Sequence, residues 1–344
     1  MFIFSRTVKS IGRVQINCEG KPHFIHRTFA EYYVADCLVN CLTEGNNTSE
    51  QIQTFILKGI LLEDDYRVIR VFVDGSLSKT KPTMEVLKQY GNQIQDLRTC
   101  DYLMLRNAAF EGNVNIIEFL LASVQAGNHQ DKVKEMLLAE DEEGFTAWLI
   151  SVVSNNTQVL EKLWEWAEKN LTEEQLKYKL SLSGVIVYLK GHSAQSWWEK
   201  RLDSSMQCRK KIELLPLEMF PYETETVWHV AANLGYLKVL EKLWIWAKEK
   251  LTTEEIKKLL LANNKGRTAW HVAVMKGYLK ILQKVWEWAE EKLTTDEINN
   301  ILLLGTDIGG MTAWHWAALE GRIKVLHRIW EWAKENLTTG EIKI

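Results

Sequence analysis

The chain has 344 residues, 46% of them hydrophobic, and its 42 Lys plus Arg against 45 Asp plus Glu give a net charge of −3. That apolar fraction is ample for a packed core, so wholesale disorder is not expected. The near balance of charge gives no basic surface of the kind that nucleic acid or an anionic membrane selects, and neither is expected as a partner. The five cysteines, at 18, 37, 41, 100 and 208, are odd in number and irregularly spaced, which suits free thiols rather than a disulfide framework. Met1–Phe4 is apolar but is followed at once by Arg6 and Lys9, so it does not read as a signal peptide. No apolar run approaches the roughly 18 residues of a membrane span. The expected address is the cytoplasm, where the sequons at Asn46, Asn155, Asn170 and Asn336 would be incidental.

Residues 1–98 read as a small helical domain with a linker. Apolar residues at 29, 32, 33, 38 and 42 predict a mostly buried helix, Gly45-Asn46-Asn47-Thr48 a loop, and Ser49-Glu50 the start of another helix through Ile52, Phe55, Ile56 and Ile60. Arg67–Val73 alternates weakly and fits strand or helix. Ser76–Thr83, interrupted by lysines and a proline, is the expected linker. The pattern Phe24-x-His26-x-Thr28-Phe29-x-Glu31-Tyr32-x-x-Ala35 resembles the segment that follows the nucleotide-binding core of NACHT-type, NLR-like signalling ATPases. The resemblance covers about 15 residues well and perhaps 75 loosely. It implies a winged-helix or helical region belonging to a larger protein, with a nucleotide-binding module that is missing here. No Gly-x-x-x-x-Gly-Lys-Ser/Thr is present to cradle a triphosphate, so no nucleotide or other cofactor is expected.

From residue 101 to 344 the sequence repeats itself. Thr226-Val-Trp-His229, Thr268-Ala-Trp-His271 and Thr312-Ala-Trp-His315 stand 42 and 44 residues apart, and a weaker copy, Thr146-Ala-Trp-Leu149, lies 80 residues before Thr226. Each Thr is followed eighteen residues later by a Trp-x-Trp pair: Trp164/Trp166, Trp244/Trp246, Trp286/Trp288 and Trp330/Trp332. Self-similarity at a fixed period marks an array of supersecondary units that bury their apolar faces against one another. Leu103–Asn113 fits the same template, making about five copies. The template Thr-x-hydrophobic-His-x-Ala-Ala-x-x-Gly, with lead-ins Asp141-Glu-Glu-Gly144-Phe-Thr146, Asn263-Asn-Lys-Gly266-Arg-Thr268 and Asp307-Ile-Gly-Gly310-Met-Thr312, closely resembles the ankyrin repeat. That resemblance implies a β-turn, a pair of closely packed helices, and protein–protein binding by the turn tips and first helices.

The period exceeds the about 33 residues of an ankyrin unit. The extra residues carry a device of their own. Leu251-Thr252-x-x-Glu255-Ile256, Leu293-Thr294-x-x-Glu297-Ile298, Leu171-Thr172-x-x-Gln175-Leu176 and Leu337-Thr338-x-x-Glu341-Ile342 are capping boxes inside hydrophobic staples. Each repeat is therefore expected to hold a third short helix. Only three residues follow Glu341, which suggests truncation or a missing cap at that end. Residues 185–222 break the rhythm: Val185–Leu189 reads as strand, Cys208–Lys211 is a basic clump, and a degenerate repeat, an inserted loop or a gene-model error would each look alike.

Chemistry finds little support. A catalytic or metal-binding His has no reason to recur every period, and the ankyrin resemblance implies that His229, His271 and His315 are framework groups bonding the neighbouring Thr and turn. Two residues along a helix lie about 200° apart, so each Trp-x-Trp pair reads as core, one ring on the paired helices and the other on the added third helix. His23, His26, Cys37 and Cys41 match no standard zinc spacing, and no metal is expected. No nucleophile, His-supported Cys or paired carboxylates stand out, so the chain is not expected to be an enzyme.

The expected fold is all-α, an ankyrin-like α-solenoid over 101–344 preceded by the helical domain 1–98. The expected function is a non-enzymatic scaffold for an unidentified protein partner. The alternative is the C-terminal sensor or regulatory portion of a larger NACHT-like ATPase. Partner-binding positions should vary while the framework repeats, at offsets −4, −3, −1, +7 and +8 from each Thr. These are Tyr222, Glu223, Glu225, Asn233 and Leu234; Asn264, Lys265, Arg267, Met275 and Lys276; and Ile308, Gly309, Met311, Leu319 and Glu320, all expected to face solvent.

Overall fold

A computed structural model describes residues 14–16, 22–24, 27–44, 50–96, 101–140, 145–181, 226–263, 265–338 and 340–341. Among these the chain is all-α apart from one short hairpin, with 18 α-helices. Its contacts divide it into two compact units, Met1–Ala139 with Glu161–Trp166, and Glu140–Leu160 with Ala167–Ile344. The expected start of the array at 101 thus differs from the contact grouping, which keeps 101–139 with the preceding helices.

In the first unit, β1 (Val14–Ile16) pairs antiparallel with β2 (Pro22–Phe24), and α1 runs from Arg27 to Glu44. Helix α2 (Glu50–Phe55) passes into a π-helical turn, Ile56–Ile60, whose Ile56, Leu57 and Ile60 are buried. The ambiguous segment is helix α3 (Arg67–Leu77): Ile69, Val73 and Leu77 are buried at four-residue spacing, the period of a helix face packed on α1. The expected linker is shorter than the sequence suggested, because Ser76 and Leu77 finish α3. Helix α4 (Met84–Asp96) lies against α6 (Val114–Ala126). Gly91 makes that approach possible, since a Cβ there would sit 2.1 Å from the Ser123 carbonyl oxygen. Helices α5 (Asp101–Glu111) and α7 (Gln130–Leu138) both pack on α6, and Gly112 ends α5 at φ 86°.

Two buried polar ties hold α3 in place. Arg70 donates from Nε and Nη2 to the two Glu111 carboxylate oxygens at 2.8 and 2.6 Å, and from Nη1 to the carbonyls of Ile60 and Glu63. The Asp74 carboxylate accepts from the backbone N–H groups of Asn115 and Ile116, satisfying two of the donors that open α6, where Asn113 supplies no side-chain cap.

In the second unit one architecture recurs. The Thr146 repeat is α8 (Ala147–Val153), α9 (Thr157–Asn170) and α10 (Glu173–Ser181), although Glu161–Trp166 of α9 groups with the first unit. The Thr226 repeat is α11 (Val227–Leu234), α12 (Leu237–Lys250) and α13 (Thr253–Leu261). The Thr268 repeat is α14 (Ala269–Lys276), α15 (Leu279–Lys292) and α16 (Thr295–Glu297), which continues as a π-helical turn over Ile298–Leu303. The Thr312 repeat has α17 (Ala313–Leu319) and α18 (Ile323–Asn336). The third helix deduced from the capping boxes is present in the first three of these repeats. Thr252 Oγ1 accepts from Glu255 N, and the Glu255 carboxylate accepts from Thr252 N at 2.7 Å; Thr294 and Glu297 repeat the pair, as do Thr172 and Gln175.

The packing is regular. First helices touch in the succession α8, α11, α14 and α17, and each third helix lies on the second helix of the next repeat, α10 on α12 and α13 on α15. The repeats flanking 182–225 therefore touch directly and in register. The Lys177–Glu255 ion pair at 3.2 Å across that junction is reproduced by Lys257–Glu297 at 3.6 Å one repeat later. The strand and basic clump read from 185–222 lie outside the described residues. Among the described residues no helix is long and apolar enough to cross a membrane.

Candidate functional site

The shared motif builds helix starts. Thr226 caps α11: its Oγ1 accepts from His229 N, while its own N–H donates to His229 Nδ1. The same reciprocal box forms at Thr268/His271 and Thr312/His315. Histidine thus takes the role that Glu or Gln has at N3 of an ordinary capping box. In the weaker copy Thr146 accepts from Leu149 N, and the leucine side chain cannot reciprocate. With Nδ1 an acceptor, the proton of neutral His229 sits on Nε2, which donates to the Arg267 carbonyl in the next turn at 3.1 Å. Burial pushes His229 down to about 4 against the pull of that carbonyl, and burial likewise pushes His271 down to about 4 against the Asp307 carboxylate. Both rings are neutral framework groups, and His229 joins its cap to the turn that follows.

The tryptophans are core, but not in the arrangement expected. The first ring of one pair stacks on the second ring of the next pair, Trp244 on Trp288 at 4.8 Å and Trp286 on Trp332 at 4.3 Å, with interplanar angles of 13° and 12°. Of the first-helix indoles, Trp228 stands edge-on to Trp244 and Trp288 at 6.4 and 6.0 Å, and Trp270 lies tilted to Trp286 and Trp332 at 6.1 and 6.5 Å. The first indole of a pair thus meets the first helix of its own repeat, as expected, and also stacks on the repeat after, while the second indole stacks on the repeat before. Trp330 departs from the core reading altogether: it is 41% exposed.

The turns that carry the proposed contacts are held from within. Asp307 Oδ1 accepts from Gly309 N and Met311 N at 2.9 and 3.0 Å, and Oδ2 accepts from Trp316 Nε1 at 3.0 Å. Burial works against ionisation of this carboxyl, but those hydrogen bonds and Arg267 hold it below the usual carboxylate range. Gly266, at φ 81°, brings the Thr268 lead-in against the next turn, where a Cβ would lie 2.7 Å from the Thr306 carbonyl oxygen. Ile308 N closes the contact by donating to the Lys265 carbonyl at 3.1 Å.

Against this geometry the expected binding positions separate. Ile308 and Leu319 are 76% and 67% exposed, and Gly309 and Glu320 are exposed with them. Lys265, Met311, Asn233, Leu234 and Lys276 are half-buried. Tyr222, Glu223, Glu225 and Asn264 lie outside the described residues. Met275 is a correction: it is 6% exposed. Arg322 of the next repeat reaches the Met275 carbonyl at 3.1 Å, and Arg267 Nη1 lies 3.8 Å from the Met275 sulfur. Arg267 is itself half-buried, 5.5 Å from the Trp316 ring centroid and 3.8 Å from Asp307. Offset +7 is thus where the next repeat packs, and Leu319 is exposed there because no described repeat covers it. What remains as free surface is the turn row, Lys265, Ile308, Gly309 and Met311, and the end of the last described repeat, which the sequence reading missed because it treated every repeat alike.

Among the described residues no group of three or more His, Cys, Asp or Glu converges on a point that could hold a metal, and Cys37 and Cys41 are free thiols. Comparison with known proteins finds no matching family model and no matching curated protein.

Proposed function

We propose that this chain is a non-enzymatic protein-binding module of ankyrin-like design, a solenoid of enlarged repeats whose turn row receives the partner. The observation that carries the reading is a division of labour. The Thr and His of the recurring motif are spent on helix caps within the framework, while the turn tip leaves Ile308 and Gly309 in solvent on a backbone fixed by Asp307. An exposed apolar side chain on a rigid support loses little conformational entropy on binding, which suits a contact surface.

The test is capture of partners on the immobilised full chain, compared with a chain carrying Ile308→Asn and Lys265→Asp. Asp tolerates the left-handed backbone that Lys265 adopts at φ 55°. A protein retained by the parent and lost from the variant, with melting temperature unchanged, supports the reading. Identical sets of retained proteins would reject it.

A further inference from the structure

One cation beside the turn row is held in place without being neutralised. The Arg267 side chain is 19% exposed, and its Nε stands 3.8 Å from Asp307 Oδ2, beyond hydrogen-bond reach. Its guanidinium lies 5.5 Å from the Trp316 ring centroid, and Nη1 lies 3.8 Å from the Met275 sulfur. Asp307 is committed elsewhere: Oδ1 accepts from Gly309 N and Met311 N, and Oδ2 from Trp316 Nε1. A guanidinium is a donor at every nitrogen, and a thioether is only a weak acceptor. Arg70 shows how this chain satisfies an arginine that it buries, with bonds of 2.8 and 2.6 Å to the Glu111 carboxylate and two more to carbonyls. Arg267 has the aromatic support but not the carboxylate.

The pair is a departure from the repeat, not part of it. The residue before the capping threonine is Phe145, Glu225, Arg267 or Met311, so the framework does not require arginine there. Four residues after the threonine, Ile150, Val230 and Val272 give way to Trp316, the ring that flanks the guanidinium.

We propose that Arg267 is the anchor of the turn row and that it takes a carboxylate side chain, Asp or Glu, from an acidic segment of the protein partner. This site lies within the turn row already proposed and rests on that reading. A carboxylate would give the guanidinium fork the charge-assisted hydrogen bonds that Asp307 does not supply. Trp316 and Met275 already restrict the arginine, so little side-chain freedom is lost on binding. Ile308, whose N–H is bonded to the Lys265 carbonyl at 3.1 Å, places an apolar contact and a second cation on the same turn. A single negative charge fits better than a phosphate dianion, because Asp307 lies 3.8 Å from Arg267 and repels each added charge.

The experiment selects short random peptides on the immobilised full chain, then measures the retained peptides against Arg267→Gln, Arg267→Lys and Ile308→Asn chains of checked melting temperature. Should Arg267→Gln fold poorly, Arg267→Met takes its place, since Met311 fills that position one repeat later. Retained peptides are expected to share an Asp or Glu at one position. Changing that residue to Asn or Gln should weaken binding to the parent roughly tenfold or more, and should leave binding to Arg267→Gln unchanged. Arg267→Lys should restore only part of the difference, for want of the fork. Inorganic phosphate displacing the peptides far better than acetate at equal concentration would assign a phosphoryl group and overturn the carboxylate site. Peptides with no shared acid, or an acid whose removal weakens binding to Arg267→Gln as much as to the parent, also overturn it. Loss of those same peptides from Ile308→Asn would then leave the turn-row reading standing, whereas peptides indifferent to both Ile308→Asn and Arg267→Gln would reject the two together. A chain that retains no peptide overturns the carboxylate site and leaves the turn row to the capture of whole proteins.

Discussion

Replacing Trp286 by alanine is the sharpest perturbation of the framework. Its ring is 2% exposed, lies 4.3 Å from the Trp332 centroid in a near-parallel stack and 6.1 Å from Trp270, and its Nε1 donates to Glu290 at 2.7 Å. Burial of about 150–250 Å² at roughly 25 cal/mol per Å² gives about 4–6 kcal/mol, and measured Trp→Ala losses of about 3–5 kcal/mol bracket the lower half of that range. A loss near 4 kcal/mol is expected, read from denaturant unfolding followed by circular dichroism. The stack itself is isolated by a double-mutant cycle. Trp286→Ala with Trp332→Ala should show a coupling of about 1 kcal/mol, whereas Trp330→Ala with Trp332→Ala should show none. The half-exposed Trp330 alone should cost less than about 1 kcal/mol. A loss below about 1 kcal/mol for Trp286→Ala, or a coupling of zero to Trp332, would refute the stacked-indole account.

Three other outcomes follow from the same contacts. His229 and His271 titrate at about 4 in the fold and near 6.5 in the unfolded chain, so the unfolded state takes up protons first as pH falls. The stability their neutral forms contribute is whole above pH 6.5 and is lost as pH falls towards 4, by about 3 kcal/mol for each buried ring; the gap between unfolding midpoints at pH 7.5 and 4.5 should narrow in His229→Gln, and an unchanged pH dependence would count against the burial argument. Thr252→Ala removes a capping box from α13 and should cost about 1 kcal/mol, measured as a shift in midpoint, with no shift arguing that the third helix is held by packing alone. Gly91→Ala forces a methyl group into the Ser123 carbonyl and should cost several times more than the about 0.5–1 kcal/mol that the same change gains in an open helix; a neutral or stabilising result in thermal melting would show that α4 and α6 can part.

What the sequence made legible was local. Thr252 and Glu255, or Thr268 and His271, lie within one turn of each other, and their hydrogen bonds depend on nothing beyond helix geometry, so spacing alone located them. Periodicity also required the two indoles of Trp286-x-Trp288 to point in nearly opposite directions. It carried no information on what lay in each direction, because the ring partners sit 44 to 46 residues away in a neighbouring repeat. Met275 illustrates the same limit: a variable position can be variable because it meets a different residue of the next repeat, not because it meets solvent. The direct contact of the Thr146 and Thr226 repeats was hidden by the 80 residues between their caps, and it emerges only from pairs such as Lys177–Glu255. Arg67–Val73 was undecided because seven residues carry too few periods to separate helix from strand, and packing on α1 decides it.

The central claim is that Thr-x-Trp-His builds the framework and the turn row binds. One comparison separates the two roles: the affinity of a captured partner for the His271→Gln chain and for the chain bearing Ile308→Asn with Lys265→Asp, both at pH 7.5 and both checked for folding. The account predicts parental affinity for His271→Gln, where glutamine can still serve as the capping residue, and a loss of roughly tenfold or more for the turn variant. Parental affinity in the folded turn variant, with binding lost in folded His271→Gln, would contradict it.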